Sequence, residues 1–274
     1  MTTSPTVTLN DGVEIPQVGL GVFQVPDADA SSAVQSALAA GYRSVDTAAI
    51  YKNEIGVGDG VRASGLPRDE VFVTTKLWNN AQGYDSALAA FEKSRQRLGL
   101  DVVDLYLIHW PCPAQDRYVD TWRALIRLRD DGAVRSIGVS NFTARHLRRL
   151  VDETGVAPAI NQVEMHPRLQ QDGLRAVHAE LGVTSEAWSP LAQAQLLDDP
   201  VLGRVAVAHG VSTAQVILRW HVQRGTVLIP KSVTPSRIAA NIDLFAFALS
   251  ADEMAAIARL DRGDRIGPDP ETFC

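Results

Sequence analysis

The sequence predicts an α/β protein: a (β/α)8 TIM barrel with an N-terminal β-hairpin and additional C-terminal helices. Three observations lead there. Eight short apolar runs are each followed by a stretch with helical periodicity. Most of these runs are apolar throughout rather than alternating, which implies burial on both faces, as in a parallel sheet. No Pro/Ser-rich linker divides the 274 residues, so residues 1–274 read as one domain. The competing architecture is an open doubly wound sheet, which favours a Gly-rich turn after its first strand. Gly19-Leu20-Gly21-Val22-Phe23-Gln24 has Gln24 where the third glycine belongs. Gly56-Val57-Gly58-Asp59-Gly60-Val61 lacks that glycine too and follows no strand.

In chain order, Val7–Leu9 and Val13–Ile15 flank Asn10-Asp11-Gly12, a hairpin signal because glycine tolerates positive φ. This hairpin is expected to plug or cover one end of the fold. Gln17–Leu20 is the first strand, followed by a helix capped by Asp27 and stopped at Gly41. Ser44–Asp46 and helix Glu54–Ala63 come next. Val71–Leu77 precedes helix Asp85–Leu98, and Val102–His109 precedes helix Tyr118–Arg129. Val134–Val139 leads to a helix from Thr143, and Ala159–Glu164 to helix Gln170–Leu181. Val183–Trp188 is the seventh strand, followed by helix Val201–His209. Ser212 and Gln215 form a capping box for a further helix, in which each side chain satisfies a free backbone N–H. Thr226–Ile229 is the eighth strand. Thr234-Pro235 opens a helix to about Asn241, and Ser250 with Glu253 opens the last one. The Gly/Pro-rich tail Arg262–Cys274 has no periodicity.

Composition narrows the function. The net charge of -6 and sequence pI near 5.5 imply no basic face, which argues against nucleic acid or an anionic membrane as partner. Cys112 and Cys274 show no CxxC spacing. Neither a disulfide framework nor a structural metal site is expected, and a reducing, cytoplasmic compartment is. Met1–Pro5 has neither a basic start nor an apolar core, so no signal peptide is expected. No run approaches the roughly 20 apolar residues of a spanning helix.

The chemistry concentrates at strand ends. In a barrel the C-terminal ends of the strands share one mouth. Asp46, Lys76 and His109 end strands two, three and four, and Tyr51 follows in the loop after strand two. Each alone has an ordinary explanation: a turn residue, a snorkelling lysine, a satisfied buried imidazole. Together they suit protonation of a carbonyl oxygen. A free tyrosine titrates near 10. A neighbouring ammonium favours the phenolate and is expected to lower that value, with Asp46 keeping Lys76 charged. His109 could orient the carbonyl. No side chain donates hydride, so a cofactor is required. Phe23, Trp78 and Trp110 fall in mouth loops and would wall a pocket for a small carbonyl compound. Phe273 in the tail could close it. Arg237, three residues into the helix opened by Thr234, adds its charge to free N–H groups after strand eight, where barrels often hold phosphate.

Six segments then carry a resemblance. Asp46-Thr47-Ala48-Ala49-Ile50-Tyr51, Thr75-Lys76-Leu77-Trp78, Leu105–Pro111 and Gly138-Val139-Ser140-Asn141-Phe142 are the first four. Asn161-Gln162-Val163-Glu164 with His166-Pro167, and Ile229-Pro230-Lys231-Ser232, complete the series. In order and over nearly the whole chain they resemble the aldo-keto reductase family. The short loops, and Trp188 before Ser189-Pro190-Leu191, resemble its bacterial 2,5-diketo-D-gluconate reductase branch. The resemblance implies NADPH-dependent reduction of aldehydes and ketones by a monomer. Keto sugars and dicarbonyls are among the small carbonyl substrates it suggests. It implies Tyr51 as acid/base, Lys76 and Asp46 as its tuning pair, and His109 as the orienting group. Ser140, Asn141 and Gln162 would hold the nicotinamide carboxamide and Trp188 would stack on the ring. Gly21, Val22, Ser189 and Leu191 would border the cofactor. Lys231, Ser232, Val233 and Arg237 would surround the 2′-phosphate, and Asn241 the adenine. Ala240 stands where the family commonly has Glu. Two rivals remain: a lyase using Lys76 as a Schiff base, and a non-catalytic NADPH-binding sensor or subunit.

Overall fold

The Asp-Gly turn folds as a hairpin. β1 (Thr6–Thr8) and β2 (Glu14–Pro16) pair antiparallel, Val7 opposite Ile15, with Gly12 at φ +85°. The computed structural model describes residues 4–274. Residues 1–3, part of the segment read for a leader, lie outside the described residues. From β3 onward strands and helices alternate. The order is β3 (Leu20–Gly21), α1 (Asp27–Ala39), β4 (Ser44–Asp46), α2 (Glu54–Ala63), β5 (Phe72–Leu77) and α3 (Tyr84–Leu98). Then come β6 (Val103–Ile108), α4 (Tyr118–Asp130), β7 (Val134–Ser140), α5 (Ala144–Thr154), β8 (Ile160–Glu164) and α6 (Asp172–Leu181). The chain ends with β9 (Thr184–Trp188), α7 (Pro200–His209), α8 (Thr213–Gln223), β10 (Val227–Leu228), α9 (Pro235–Ile242) and α10 (Ala251–Ala258).

β3 to β10 form one eight-stranded sheet in sequence order, every neighbouring pair parallel. The sheet curls until its edges meet. Gly19 N donates to Leu228 O and Leu228 N to Gln17 O, both at 2.9 Å, and Gly21 N to Pro230 O at 3.2 Å. The expected first strand is therefore shorter and shifted: only Leu20–Gly21 is regular, with Val18 bridging Leu228. The strands carry apolar side chains to the surrounding helices, where Tyr106, Phe91 and Trp122 are buried. Leu9 and Ile15 of the hairpin pack on Phe72, Leu105, Ile160 and Val227, which lie in the opening residues of their strands or just past them. The hairpin thus plugs the end opposite the one where Asp46, Lys76 and His109 sit.

Local chemistry explains most boundaries. Ser212 with Gln215 and Ser250 with Glu253 form the expected capping boxes. Thr143 forms another with His146, a partner the sequence reading did not name. Asp27 does not cap α1. It is the first helical residue, and its Oδ1 accepts a 2.8 Å hydrogen bond from Gly56 N, tying α1 to α2. Close approach to α1 on one side and to the end of α3 on the other explains the glycine series in α2. A Cβ on Gly56 would come 2.2 Å from Asp27 O, and one on Gly58 would come 1.9 Å from Leu98 O. These glycines serve close helix packing, not phosphate binding.

The two cysteines correct an expectation. Cys112 and Cys274 are disulfide-bonded, with Cα atoms 5.1 Å apart across a sequence separation of 162. Sequence spacing could not show this, because the tail crosses back over the molecule before the two meet. A bridge closing so long a loop restricts the unfolded chain and stabilises by about 2–4 kcal/mol. Cys274→Ser, or reduction of the wild type, should therefore lower the melting temperature by roughly 5–10 °C. An unchanged melting temperature would mean that the bridge does not form in solution.

Candidate active site

Four polar groups converge where β4, β5 and β6 end. β4 and β5 are each buried along their whole length. Lys76 Nζ donates to Asp46 Oδ1 at 2.5 Å and to the Thr47 carbonyl at 2.9 Å, and both side chains are buried. The chain leaves β4 through a 3₁₀ turn, Ala49–Tyr51, which Lys52 ends in the left-handed region at φ 57°. This turn sets the Tyr51 ring centroid 5.2 Å from Lys76 Nζ. His109 lies just beyond β6, and its N–H donates to Leu77 O, which continues the strand pairing by one residue. Its ring stands edge-on to Tyr51 at 5.7 Å and to Trp78 at 5.1 Å.

Burial decides the protonation states. His109 is held well below its usual range, first by burial and then by the Lys76 charge, so the imidazole is neutral. Its Nδ1 is buried without a hydrogen-bond partner among the described residues. For Lys76, burial opposes the charge, but Asp46 and Tyr51 outweigh it and its pKa rises. Tyr51 departs from expectation. Burial raises its pKa more than Lys76 lowers it, and Asp46 adds to the rise, so the phenol is held protonated above the ordinary tyrosine range.

A cavity of about 470 Å³ opens on this group. Phe23, Trp78 and Trp110 line it, as do Gly21, Ser140, Asn141, Gln162, Trp188, Ser189 and Lys231. Phe23 lies 5.0 Å from the Tyr51 ring and is half exposed. The polar residues of the rim hold one another. Asn141 Nδ2 donates to His109 O and Ser140 Oγ, Trp188 Nε1 donates to Asn141 Oδ1, and Ser140 Oγ donates to Gln162 O. Gln162 Nε2 donates to Asp46 Oδ2 at 2.9 Å and to Glu186 Oε2 at 3.0 Å. The remaining expected cofactor residues do not line this cavity. Val22 is buried, and Leu191 packs against the apolar core. Ser232, Val233, Arg237 and Asn241 continue outward from Lys231 into α9.

Part of the wall comes from residues that no sequence motif marks as site residues. Ile266, Gly267 and Pro268 of the tail line the cavity, as do Gln24, Ile50 and Gln193. Glu164 draws the tail in, its carboxylate accepting from Ile266 N at 2.6 Å and Gly267 N at 2.8 Å. A Cβ on Gly267 would come 2.4 Å from Trp188, so only glycine passes there without displacing the indole. Phe273 packs against Trp110 with ring centroids 4.6 Å apart and planes tilted by 54°, beside the Cys112–Cys274 bridge. Glu164, the strand-end acid two residues before the His166-Pro167 pair, was the available signal, but nothing local names its tail partners.

A model of the aldo/keto reductase family matches residues 17–262. The chain belongs to that family. It is 54% identical over 267 residues to a glyoxal reductase of Bacillus subtilis, covering 97% of this chain and 96% of that one. It is 50% identical over 273 residues to the methylglyoxal reductase DkgA of Escherichia coli, covering 98% of each. A solved structure of a Gox0644 variant in complex with NADPH superimposes with a TM-score of 0.96 at 48% identity, covering 100% of both chains.

The residues after β10 suit the phosphate end of such a cofactor. The expected Thr234 cap is absent: the residue holds the capping position of α9, but its side chain makes no capping bond, and Pro235 supplies no N–H. Donors of the first turn are left for a ligand. Lys231, Val233 and Arg237 are exposed around that turn, and the Ser232 hydroxyl accepts from Thr234 N. A charge-assisted contact of this kind contributes about 1.5–3 kcal/mol. Arg237→Ala should therefore weaken NADPH binding by roughly ten- to a hundredfold and leave NADH binding almost unchanged. Equal losses for both, measured by fluorescence titration, would remove Arg237 from the 2′-phosphate.

Proposed function

We propose that this aldo/keto reductase uses NADPH to reduce small aldehydes and ketones, dicarbonyls such as glyoxal and methylglyoxal first among them. Tyr51 donates the proton to the carbonyl oxygen. The observation that carries this reading is the buried Asp46–Lys76 pair beneath a protonated Tyr51, with a neutral His109 edge-on beside it. NADPH, when bound, supplies the hydride. The chain's own residues do the rest. A tyrosine whose free acid is already weak, and weaker still here, stays protonated across the neutral range and is available as a donor. The Lys76 ammonium stabilises the phenolate as it forms, and Asp46 holds that ammonium in place. A neutral imidazole at His109 can donate one hydrogen bond to the carbonyl oxygen, fixing its direction without competing for the proton.

At the cofactor end, Ser140, Asn141 and Gln162 would face the carboxamide. Both Gln162 amide hydrogens are engaged, so it would accept from the carboxamide rather than donate. Trp188 would flank the ring, with Gly21, Val22, Ser189 and Leu191 bordering the cofactor and Lys231, Ser232, Val233, Arg237 and Asn241 holding its adenosine half. Phe23, Trp78 and Trp110 would enclose a small substrate, with the tail as the fourth wall. A Schiff base at Lys76 requires a neutral amine, and the Asp46 contact favours the charged one. A sensor with no turnover would not need the polar tetrad held together around one cavity.

The same reading treats residues 1–274 as one domain and the curled sheet as a closed (β/α)8 barrel, supported by the bonds between residues 17–21 and 228–230. It takes the protein as a monomer without nucleic-acid or membrane partners, in keeping with the net charge of -6, and as cytoplasmic, where the Cys112–Cys274 bridge would have to persist against a reducing environment. Among the described residues no single helix is long and apolar enough to cross a membrane. Tyr51→Phe should lower kcat for methylglyoxal by about 10²–10⁴-fold, the usual worth of a positioned acid, while NADPH still quenches tryptophan fluorescence with near wild-type affinity. Turnover at the wild-type rate would exclude Tyr51 as the donor.

A further inference from the structure

Among the described residues, five carboxylic side chains are buried: Asp46, Glu54, Asp104, Glu164 and Glu186. Four have a cationic or imidazole partner. Asp46 meets Lys76, Glu54 meets Arg97, and Asp104 lies between Arg68 and Arg135. Glu164 meets His166 and two backbone N–H groups. Glu186, 1% exposed, has no ion pair among the described residues. Its one hydrogen-bond partner is Gln162 Nε2, the atom that also donates to Asp46 Oδ2. A single amide group thus spans two carboxyls, one ion-paired and one not.

We propose that Glu186 is a positioning residue of the proton-donor site, a carboxyl that holds a proton at neutral pH and, on losing it, keeps Tyr51 protonated into the alkaline range. This rests on the reading of Tyr51 as the donor. The geometry explains which carboxyl keeps the proton. Asp46 is bonded to an ammonium and stays ionised. Glu186 would place a second negative charge in the same interior with no cation of its own, and an isolated buried carboxylate is costly enough to protonate instead. Burial, and then the Asp46 charge, raise its pKa to about 8.

The surroundings contain few other charges. On β9, Glu186 pairs in register with Gln162 of β8 and Val227 of β10, neither of which titrates. Across the interior the titratable groups that act on it, or on which it acts, are Asp46 on β4, Lys76 on β5 and Tyr51 on the turn after β4. Below its pKa, Glu186 is a neutral acceptor that fixes Gln162 and, through it, the free oxygen of Asp46. Above it, the new negative charge favours the Lys76 ammonium and opposes loss of the Tyr51 proton. Reduction, which needs a protonated Tyr51, is thereby extended to higher pH.

The test uses the full chain with NADPH and methylglyoxal, recording kcat/KM from about pH 6 to about pH 12, a range that spans the carboxyl and extends past the ordinary tyrosine value of about 10, above which Tyr51 is held. Glu186→Gln keeps an acceptor for Gln162 but cannot ionise. Its alkaline limb should move to lower pH by roughly one unit, the size of effect one buried charge produces. Glu186→Asp keeps an ionisable group and should restore most of that shift. Limbs that superimpose for wild type and Glu186→Gln would overturn the proposal. So would equal shifts for both variants, which would trace the effect to packing rather than charge. Should Glu186→Gln fail to fold, infrared difference spectra of wild type and Glu186→Asp decide. A buried protonated-carboxyl band lost near pH 8 in the wild type and displaced in Glu186→Asp supports the proposal. Absence of such a band overturns it. Wild-type turnover by Tyr51→Phe would instead remove the underlying reading and leave the ionisation of Glu186 standing as an independent measurement.

Discussion

The contact between Lys76 and Asp46 is the constraint around which the rest of the molecule is arranged. Both groups are removed from water, and taking two charges out of water costs several kcal/mol per ion after relaxation. Their attraction offsets that cost only with good geometry and further hydrogen bonds. The sheet supplies both. β4 and β5 are adjacent and parallel, with Asp46 in register with Thr74, two residues before Lys76. The Thr47 carbonyl takes a second Lys76 hydrogen, and Gln162 satisfies the second Asp46 oxygen from the far side of the interior. An apolar pair of the same volume would be no worse for stability. On the proposed reading of Tyr51 as the proton donor, the pair's contribution is to the phenol above it.

The low polarity that makes this pair costly also sets the neighbouring groups. His109 is neutral because an imidazolium would be both buried and beside an ammonium. Tyr51 remains a phenol because burial outweighs the attraction of Lys76. The simple expectation that a lysine lowers a tyrosine's pKa holds for the sign of that one interaction and fails for the sum. If Tyr51 is the proposed donor, it must carry its proton before it gives it up, and a raised value suits the reduction direction. Stabilisation by Lys76 matters most as charge develops on the oxygen.

The mouth is finished by elements far apart in the chain. Glu164 at the end of β8 binds the backbone of residues 266 and 267, Gly267 lies against Trp188, and Trp188 fixes Asn141. Glu271 reaches Thr143 and Arg145, while Cys274 is joined to Cys112. The tail is therefore a wall held at three places, and one of its holds also touches the indole beside the expected nicotinamide position.

Periodicity and punctuation are local, and what depends on them was legible in the sequence. The eight parallel strands, the hairpin, the two serine capping boxes and the helix stop at Gly41 follow from residues within a few positions of each other. Asp46, Lys76 and His109 were legible for the same reason, since a residue at a strand's C-terminal end has a known destination once the sheet is parallel. Other features depend on groups that meet only after folding. Asp27 bonds α2 instead of capping α1, and Thr234 leaves its helix start open. Cys112 and Cys274 meet across 162 residues. Glu186 follows Thr184 and Ser185 in a strand that is polar over half its length, so nothing local marks it as buried. Its lack of a cation, and its link through Gln162 to Asp46, exist only inside the curled sheet. Charge state is decided there too, because desolvation is a property of the whole surrounding structure and is written in no single segment of the chain.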